Sequence, residues 1–156
     1  MQKKTRAFLK WAGGKYSLVE DISARLNEAS KHADTLVEPF VGAGSVFLNT
    51  DFKDYILNDI NADLINLYNE LKNSPDEFIG DAKKLFVDLN NQPDAYYDYR
   101  VQFNQSNDIY ERAILFLYMN RHGYNGLCRY NLKGIFNVPF GKYKRPYFPE
   151  KEMYFF

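Results

Sequence analysis

The sequence predicts an α/β fold that gives way, part-way along the chain, to a helical region carrying a β-hairpin. A buried-strand pattern at Thr35–Val41 runs directly into the glycine loop Gly42-Ala43-Gly44-Ser45. A second strand pattern follows at Tyr55–Asp59, and strands joined in this way lie parallel with a right-handed crossover. From residue 62 onward the apolar residues recur with helical spacing instead.

Two helices are predicted around the first strand. Over Ser17–Asn27 the residues Leu18, Ile22 and Leu26 recur at i, i+4 and i+8, which places them on one helical face. A second helix is expected to begin within Ser45–Asn49, directly after the glycine loop.

Four helical segments are predicted after the second strand. The apolar face of the first consists of Leu64, Leu67, Tyr68 and Leu71. Ser74-Pro75-Asp76-Glu77 has the pattern of a capping box with proline at the first helical position, so a new helix begins there. The other two helices are predicted over Ala95–Asn104 and about Tyr110–Asn120.

Residues 123–141 lack the helical spacing of the preceding segments, and their pattern predicts a β-hairpin near 124–140. Two short extended runs flank Asn131-Leu132-Lys133-Gly134, which is a glycine-ended turn. Pro139 must lie on an edge, because it has no N–H to donate to a ladder. A basic, aromatic hairpin on a helical platform suits a nucleic-acid groove.

The net charge of zero conceals a segregation of charge along the chain. Residues 1–15 and 113–149 contain basic residues and no acid, whereas acidic residues outnumber basic ones in 50–112. Two basic segments predict a polyanion bound to one face, and two merely solvated surfaces remain the alternative.

The remaining composition predicts a soluble, cytoplasmic chain without a metal. Cys128 is the only cysteine, so an intrachain disulfide is impossible. The longest apolar run, Ala113–Met119, is too short to span a bilayer, and no apolar signal-peptide segment follows the basic start. His32 and His122 stand alone, so no metal cluster is expected.

The glycine loop predicts an adenosine-containing ligand. Gly42 and Gly44 allow the backbone to approach a ligand closely at the end of a strand. Asp59 ends the next predicted strand, where an acid can accept hydrogen bonds from ribose hydroxyls. Phe47 stands where the dinucleotide pattern has its third glycine, which weakens a nicotinamide interpretation. A tight turn without a ligand remains the alternative.

Four motifs, taken together and in order, cover the chain and resemble the Dam family of DNA adenine-N6 methyltransferases. These motifs are Lys10–Lys15, Glu38–Ser45, Asn58–Asn61 and Tyr124–Asn131. The resemblance implies a Rossmann-like S-adenosylmethionine-dependent methyltransferase domain, incomplete here, with an inserted helical DNA-recognition domain carrying the β-hairpin. We expect the catalytic part over residues 1–61, the recognition domain over 62–148, and a return to the catalytic domain at 149–156.

The resemblance also implies a binding site for S-adenosyl-L-methionine. Trp11 and Lys15 correspond to pocket residues, with Trp11 near the adenosine, and Asp59 corresponds to the ribose ligand. The loop on the methionine side of the cofactor is implied to consist of Glu38, Phe40, Gly42 and Gly44, where a carboxylate can hold the cationic end.

The implied partner of the family is duplex DNA containing GATC, bound by a monomer. Arg129 corresponds to the guanine-reading position, where an arginine can bind O6 and N7 together. The other implied contacts are Lys10 at a second base, Leu127 and Pro139 as apolar base contacts, and Tyr124 and Asn125 beside the flipped adenine. Taken singly, Tyr124 and Leu127 could be core residues, and Arg129 could contact only phosphate.

No catalytic residue is predicted in this chain. The family uses an Asp-Pro-Pro-Tyr loop to accept hydrogen bonds from the adenine amino group, and this sequence has no Pro-Pro pair. Two open-edged parallel strands also make a poor sheet. We therefore expect an inactive fragment whose catalytic loop lies beyond Phe156. A non-catalytic DNA-binding module and a nicotinamide-dependent oxidoreductase are the alternative functions.

Overall fold

The computed structural model describes residues 4–156, so Lys3 of the basic N-terminal segment lies outside the described residues. Over that range the chain combines α-helices with one small parallel sheet. The helices are α1 Val19–Ala29, α2 Ala62–Asn73, α3 Pro75–Lys83, α4 Pro93–Gln105, α5 Ile109–His122 and α6 Glu150–Phe155. Single 3-10 turns lie at Lys15–Leu18, Phe47–Asn49, Asp88–Asn90 and Tyr124–Gly126. No helix among residues 4–156 has the length and apolar character needed to cross a membrane.

The sheet pairs strand β1, Thr35–Glu38, with strand β2, Asp54–Leu57. The strands are parallel, as predicted, and Glu38 lies opposite Leu57. The predicted continuation of the first strand to Val41 is wrong. Pro39 cannot donate to a ladder, and beyond it the Val41 N–H turns to the carbonyl of Asn58 at 2.9 Å.

The helix expected to begin within Ser45–Asn49 is reduced to the 3-10 turn Phe47–Asn49. The Asn49 side-chain amide donates back to the carbonyl of Ser45 at 2.8 Å, and Thr50 is extended, with φ −124°. Because β2 begins only a few residues later, the connection has no room for a longer helix.

The core lies where α2 crosses α5. The predicted apolar face of α2 is confirmed, since all of its residues are buried, and α4 and α3 pack on the other sides of α5. Burial on several sides explains why residues 113–119 of α5 form an unbroken apolar run instead of one apolar stripe. The predicted helices Ala95–Asn104 and Tyr110–Asn120 are confirmed as α4 and α5, with ends shifted by one or two residues.

The predicted capping box at Ser74 is wrong in its hydrogen bonding, although α3 does begin with Pro75. The Ser74 side chain makes no capping bond, because this residue also ends α2 and its N–H donates to the carbonyl of Glu70 at 3.0 Å. Its backbone, with φ −144° and ψ 63°, lies outside the extended conformation that aims a hydroxyl at the helix end.

The predicted hairpin is present, but as bridges instead of regular strands. Isolated antiparallel bridges join Gly123 to Phe140 and Tyr130 to Phe136. The turn between its two sides is closed by the Asn131 carboxamide oxygen, which accepts the N–H of Lys133 at 2.9 Å and that of Ile135 at 3.0 Å. Gly134 has φ +73°, the left-handed conformation that favours glycine at the end of such a turn.

Candidate functional site

The glycine loop follows β1 in a conformation that only glycine adopts without strain. Gly42 has φ +50° and Gly44 has φ +82°. A Cβ on Gly42 would lie 3.0 Å from Nε1 of Trp11, and a Cβ on Gly44 would clash with the ring of Phe47. Trp11, predicted to lie near the adenosine of the cofactor, therefore packs against the loop at Gly42, and the ring of Phe47 packs against it at Gly44.

The peptide groups of Gly42 are fixed by two polar side chains. Its N–H donates to Oδ2 of Asp59 at 3.0 Å, and its carbonyl accepts the hydroxyl of Tyr68 at 2.5 Å. Burial, reinforced by the charge of Asp59, raises the pKa of Tyr68 well above its usual value, so the hydroxyl stays a donor. The other oxygen of Asp59 accepts the N–H of Asn61 at 3.0 Å. Each Asp59 oxygen keeps a second acceptor position for a ligand.

A buried carboxylate stands beside the loop. Glu38, the last residue of β1, is 8% exposed, and neither of its oxygens has a hydrogen-bond partner within residues 4–156. The Lys15 ammonium lies 3.6 Å from Oε1 and donates instead to the carbonyl of Phe40 at 2.9 Å. Burial raises the pKa of Glu38, and the nearby Lys15 ammonium and Phe47 backbone oppose this only in part. A buried carboxylate without hydrogen bonds is costly, and a cationic ligand group would compensate it.

Phe40 is the predicted loop residue that the fold does not bring into this cluster. Phe40 is 75% exposed, and its part in the cluster is its carbonyl, which accepts a hydrogen bond from Lys15. An open cleft of about 290 Å³ lies next to the loop and is lined in part by Trp11, Ala43 and Ser45.

Lys10 lies against the hairpin, 110 residues away in sequence from the side chain that holds it. The carboxamide of Asn120, a fully buried residue, accepts the Lys10 N–H at 2.9 Å and donates to the Lys10 carbonyl at 2.7 Å. Gly126 packs so closely on Lys10 that a Cβ there would clash with its side chain. The Lys10 ammonium lies 3.7 Å from the ring centroid of Tyr143, a cation–π contact.

The predicted DNA-contacting residues Tyr124, Asn125 and Pro139 lie together beside Lys10. Tyr124 is 51% exposed, and its N–H donates to the carbonyl of Pro139 at 2.9 Å. Asn125 has φ +53°, and its N–H donates to the Tyr143 hydroxyl at 3.0 Å. An exposed tyrosine beside a strained asparagine is a candidate for contact with a ligand.

Leu127 and Arg129 have different surroundings. Leu127 is half-buried against the core, which is consistent in part with the alternative that it is a core residue and not a base contact. Arg129 is exposed, and its guanidinium donates to the Asn137 carboxamide at 2.8 Å and to the Asn137 carbonyl at 3.2 Å. The guanidinium is thus oriented by the opposite side of the hairpin.

Arg121, one of the basic residues of segment 113–149, does not lie on the basic surface that the charge pattern predicted. Arg121 is 9% exposed, and it donates to the carbonyls of Tyr147 and Phe8 at 2.9 and 3.4 Å. Its burial lowers its pKa. Arg121 therefore ties the N-terminal segment to the chain that follows the hairpin.

Three residues of this surface were missed in the sequence. Asn120 is fully buried and directly follows the apolar run 113–119 of α5, and an isolated polar residue in that position is the signal that could have found it. Tyr143 and Asn137 carry no comparable signal, because their roles depend on where the hairpin folds.

Comparison with known proteins shows the family of the chain. Residues 11–156 match the family described as D12 class N6 adenine-specific DNA methyltransferase. Since the match covers nearly the whole chain, the chain belongs to this family.

The similar relatives include proteins called DNA adenine methylase. Those of Vibrio cholerae serotype O1 and Escherichia coli K12 are 66% and 62% identical to this chain over 154 residues. The Serratia marcescens protein of the same name is 63% identical. These alignments cover 99% of this chain but 54–56% of the relatives, so the chain spans about half the length of the curated relatives it matches.

Proposed function

We propose that this chain supplies the S-adenosyl-L-methionine site and the GATC-recognising surface of a DNA adenine-N6 methyltransferase. In this proposal residues 1–61 are part of a Rossmann-like catalytic domain, 62–148 form the inserted recognition domain, and 149–156 return to the catalytic domain. Membership of the adenine-N6 methyltransferase family supports the reaction class, and the relatives' name supports DNA as the substrate.

The observation that carries the cofactor assignment is the buried Glu38 carboxylate, which lacks a hydrogen bond in the described chain. It lies at the end of β1, where the glycine loop begins. An ammonium group is the natural partner for such a carboxylate, and the methionine end of the cofactor carries one. The buried carboxylate beside the loop therefore fits this cofactor.

Other residues would complete the cofactor site. Trp11, packed over Gly42, would face the adenosine, and the free acceptor positions of Asp59 would bind the ribose hydroxyls. Lys15 would hold the loop through the carbonyl of Phe40. When bound, the cofactor would supply a methyl group on a positively charged sulfur, and Glu38 and the glycine loop would hold its methionine end.

The hairpin surface would read the duplex. Arg129 would donate to O6 and N7 of a guanine. Tyr124 and Asn125 would occupy the space beside the flipped adenine, whose extraction from the stack exposes N6. The remaining base contacts would come from Lys10, Leu127 and Pro139.

The polypeptide of 156 residues should bind but not turn over. It contains no Asp-Pro-Pro-Tyr sequence to accept hydrogen bonds from the weakly nucleophilic adenine amino group. An assay of methyl transfer from radiolabelled cofactor to a GATC duplex tests this prediction. Turnover would contradict it, because it would show that the catalytic residues lie within this chain.

Binding titrations separate the proposed function from its alternatives. Quenching of the Trp11 fluorescence is expected with S-adenosyl-L-methionine and not with NADH, because Trp11 is the only tryptophan and packs over the loop. A response to NADH alone would favour an oxidoreductase. Preferential binding of GATC duplex without any cofactor response would favour a DNA-binding module.

A further inference from the structure

Of the two bridged pairs of the hairpin, the one nearer its turn joins Tyr130 to Phe136. Backbone hydrogen bonds flank this pair on both sides. The Asn137 N–H donates to the Arg129 carbonyl at 3.1 Å, and the Asn131 N–H donates to the Ile135 carbonyl at 2.9 Å. Whatever holds this pair therefore also sets the position of Arg129.

The first side is held at Tyr130 by an acid from another element. The Tyr130 hydroxyl donates to Oδ2 of Asp63 at 2.7 Å. Asp63 lies in the first turn of α2 and is 8% exposed. Burial, together with this hydrogen bond, raises the pKa of Tyr130, so its hydroxyl remains a donor.

The second side is held at Phe136 by a carboxamide from α4. The oxygen of Asn104 accepts the Phe136 N–H at 2.8 Å, and its nitrogen donates to the Phe136 carbonyl at 3.0 Å. A side chain that binds both backbone groups of one residue fixes its position as a neighbouring strand would. The hairpin is therefore anchored on both sides at the same bridged pair.

Arg112 of α5 joins the two anchoring points. Its guanidinium donates twice to Oδ1 of Asp63, at 2.9 and 2.8 Å. It also donates to the carbonyls of Phe103 and Ser106, at 2.7 and 3.0 Å, on either side of Asn104 in sequence. We call Asp63, Asn104 and Arg112 the hairpin anchor. Its hydrogen bonds join the hairpin to α2 and to α4, and they join α5 to both of these helices, so the anchor fixes α2, α4 and α5 relative to the hairpin.

We propose that the hairpin anchor determines sequence specificity by positioning Arg129, a step that rests on the proposed recognition of GATC. An arginine reads guanine only when its guanidinium meets both acceptors together, whereas phosphate contacts tolerate displacement. Within residues 4–156, the Arg129 guanidinium hydrogen-bonds only with Asn137, one residue beyond the anchored pair. A loosened anchor should thus weaken specific binding and leave non-specific binding unchanged.

Tyr130→Phe tests the proposal, because it removes one hydroxyl and retains the ring that packs on Phe136. The matched control is Tyr110→Phe, which removes a hydroxyl that donates to Asp81 at 2.9 Å, between α5 and α3. Fluorescence anisotropy of the 156-residue chain gives Kd for a GATC duplex and for a scrambled duplex at the same salt. Asn104→Asp, which keeps the acceptor but loses the donor, is the second test variant. It provides the test of the proposal in the event that Tyr130→Phe does not fold.

We expect Tyr130→Phe to lower the preference for GATC by about tenfold, the effect of a displaced charged hydrogen bond. Its Kd for scrambled DNA should stay within about twofold of the unsubstituted chain, and Tyr110→Phe should change neither value. A uniform loss on both duplexes, which a purely structural role would give, overturns the proposal. Full retention of the preference by both test variants also overturns it and leaves the proposed function standing. If the unsubstituted chain shows no preference for GATC, the proposed recognition fails as well.

Discussion

Replacing Asn120 with alanine should release Lys10 from the hairpin surface. The Asn120 carboxamide pairs with both backbone groups of Lys10 and also donates to the Gly126 carbonyl at 3.2 Å. No other contact of the described chain binds the Lys10 peptide groups on both sides. Two effects are therefore expected, one on stability and one on DNA binding.

The size of the stability effect follows from the groups left behind. Alanine strands one N–H and two carbonyls, and an unpaired buried group costs about 1–3 kcal/mol. Because Lys10 is half-buried and water can reach part of its backbone, we expect the free energy of unfolding to fall by about 3 kcal/mol in all. Loss of the Lys10 position should also weaken binding of the GATC duplex by about 1–2 kcal/mol.

A matched control exists in Asn49, which makes the same kind of contact elsewhere. Its carboxamide accepts the Thr5 N–H at 2.8 Å and donates to the Thr5 carbonyl at 3.0 Å. Asn49→Ala should destabilise the chain, as measured by urea unfolding, but it leaves the Lys10 contacts intact. DNA affinity should therefore fall only in Asn120→Ala.

Two results would contradict the predicted effects of Asn120→Ala. Equal losses of DNA affinity in the two variants would mean that global destabilisation, not the position of Lys10, weakens binding. Unchanged stability in Asn120→Ala would mean that the freed backbone groups find water without cost.

Three further predictions address other residues. Gly42→Ala should reduce cofactor affinity by more than about tenfold, since it strains φ +50° and forces a methyl group towards Trp11; calorimetric titration measures this, and unchanged affinity would contradict it. Arg129→Ala should weaken GATC binding by about 1–3 kcal/mol relative to scrambled DNA in anisotropy titrations, whereas an equal loss on both duplexes would reduce Arg129 to a phosphate contact. Burial lowers the pKa of His122 from 6.5 to about 4, so the folded chain excludes a proton that the unfolded chain binds, and stability should fall as the pH drops through this interval. Urea unfolding at about pH 7 and pH 4.5 should show about 2–3 kcal/mol more loss in the natural chain than in His122→Phe, and equal losses would contradict the assignment.

The helices and the parallel strands were predictable because their signals are local. The apolar face of α2 and the proline at the start of α3 are visible in a few consecutive residues, and both were confirmed. Ser74 shows where such signals fail, because the end of one helix and the start of the next compete for the same backbone. The short turn at Phe47–Asn49 fails for a similar reason, since β2 follows too soon.

The candidate site divides along the same line. The glycine loop and Asp59 could be placed from spacing, because strand ends bring those residues to one edge. The contacts of Lys10 with Asn120, and of Tyr130 with Asp63, join residues far apart in sequence. No periodicity encodes such pairs, and they become visible only when the helices are packed.

We propose above that the glycine loop binds S-adenosyl-L-methionine through the buried Glu38 carboxylate. Calorimetric titration of the chain and of Glu38→Gln tests it directly, with Glu150→Gln as a control, since Glu150 pairs with Lys83 on the surface, away from the loop. We expect the natural chain and the control to bind equally, and Glu38→Gln to bind at least about tenfold more weakly, because a buried ion pair with the ammonium is lost. Equal binding by all three chains would contradict the claim.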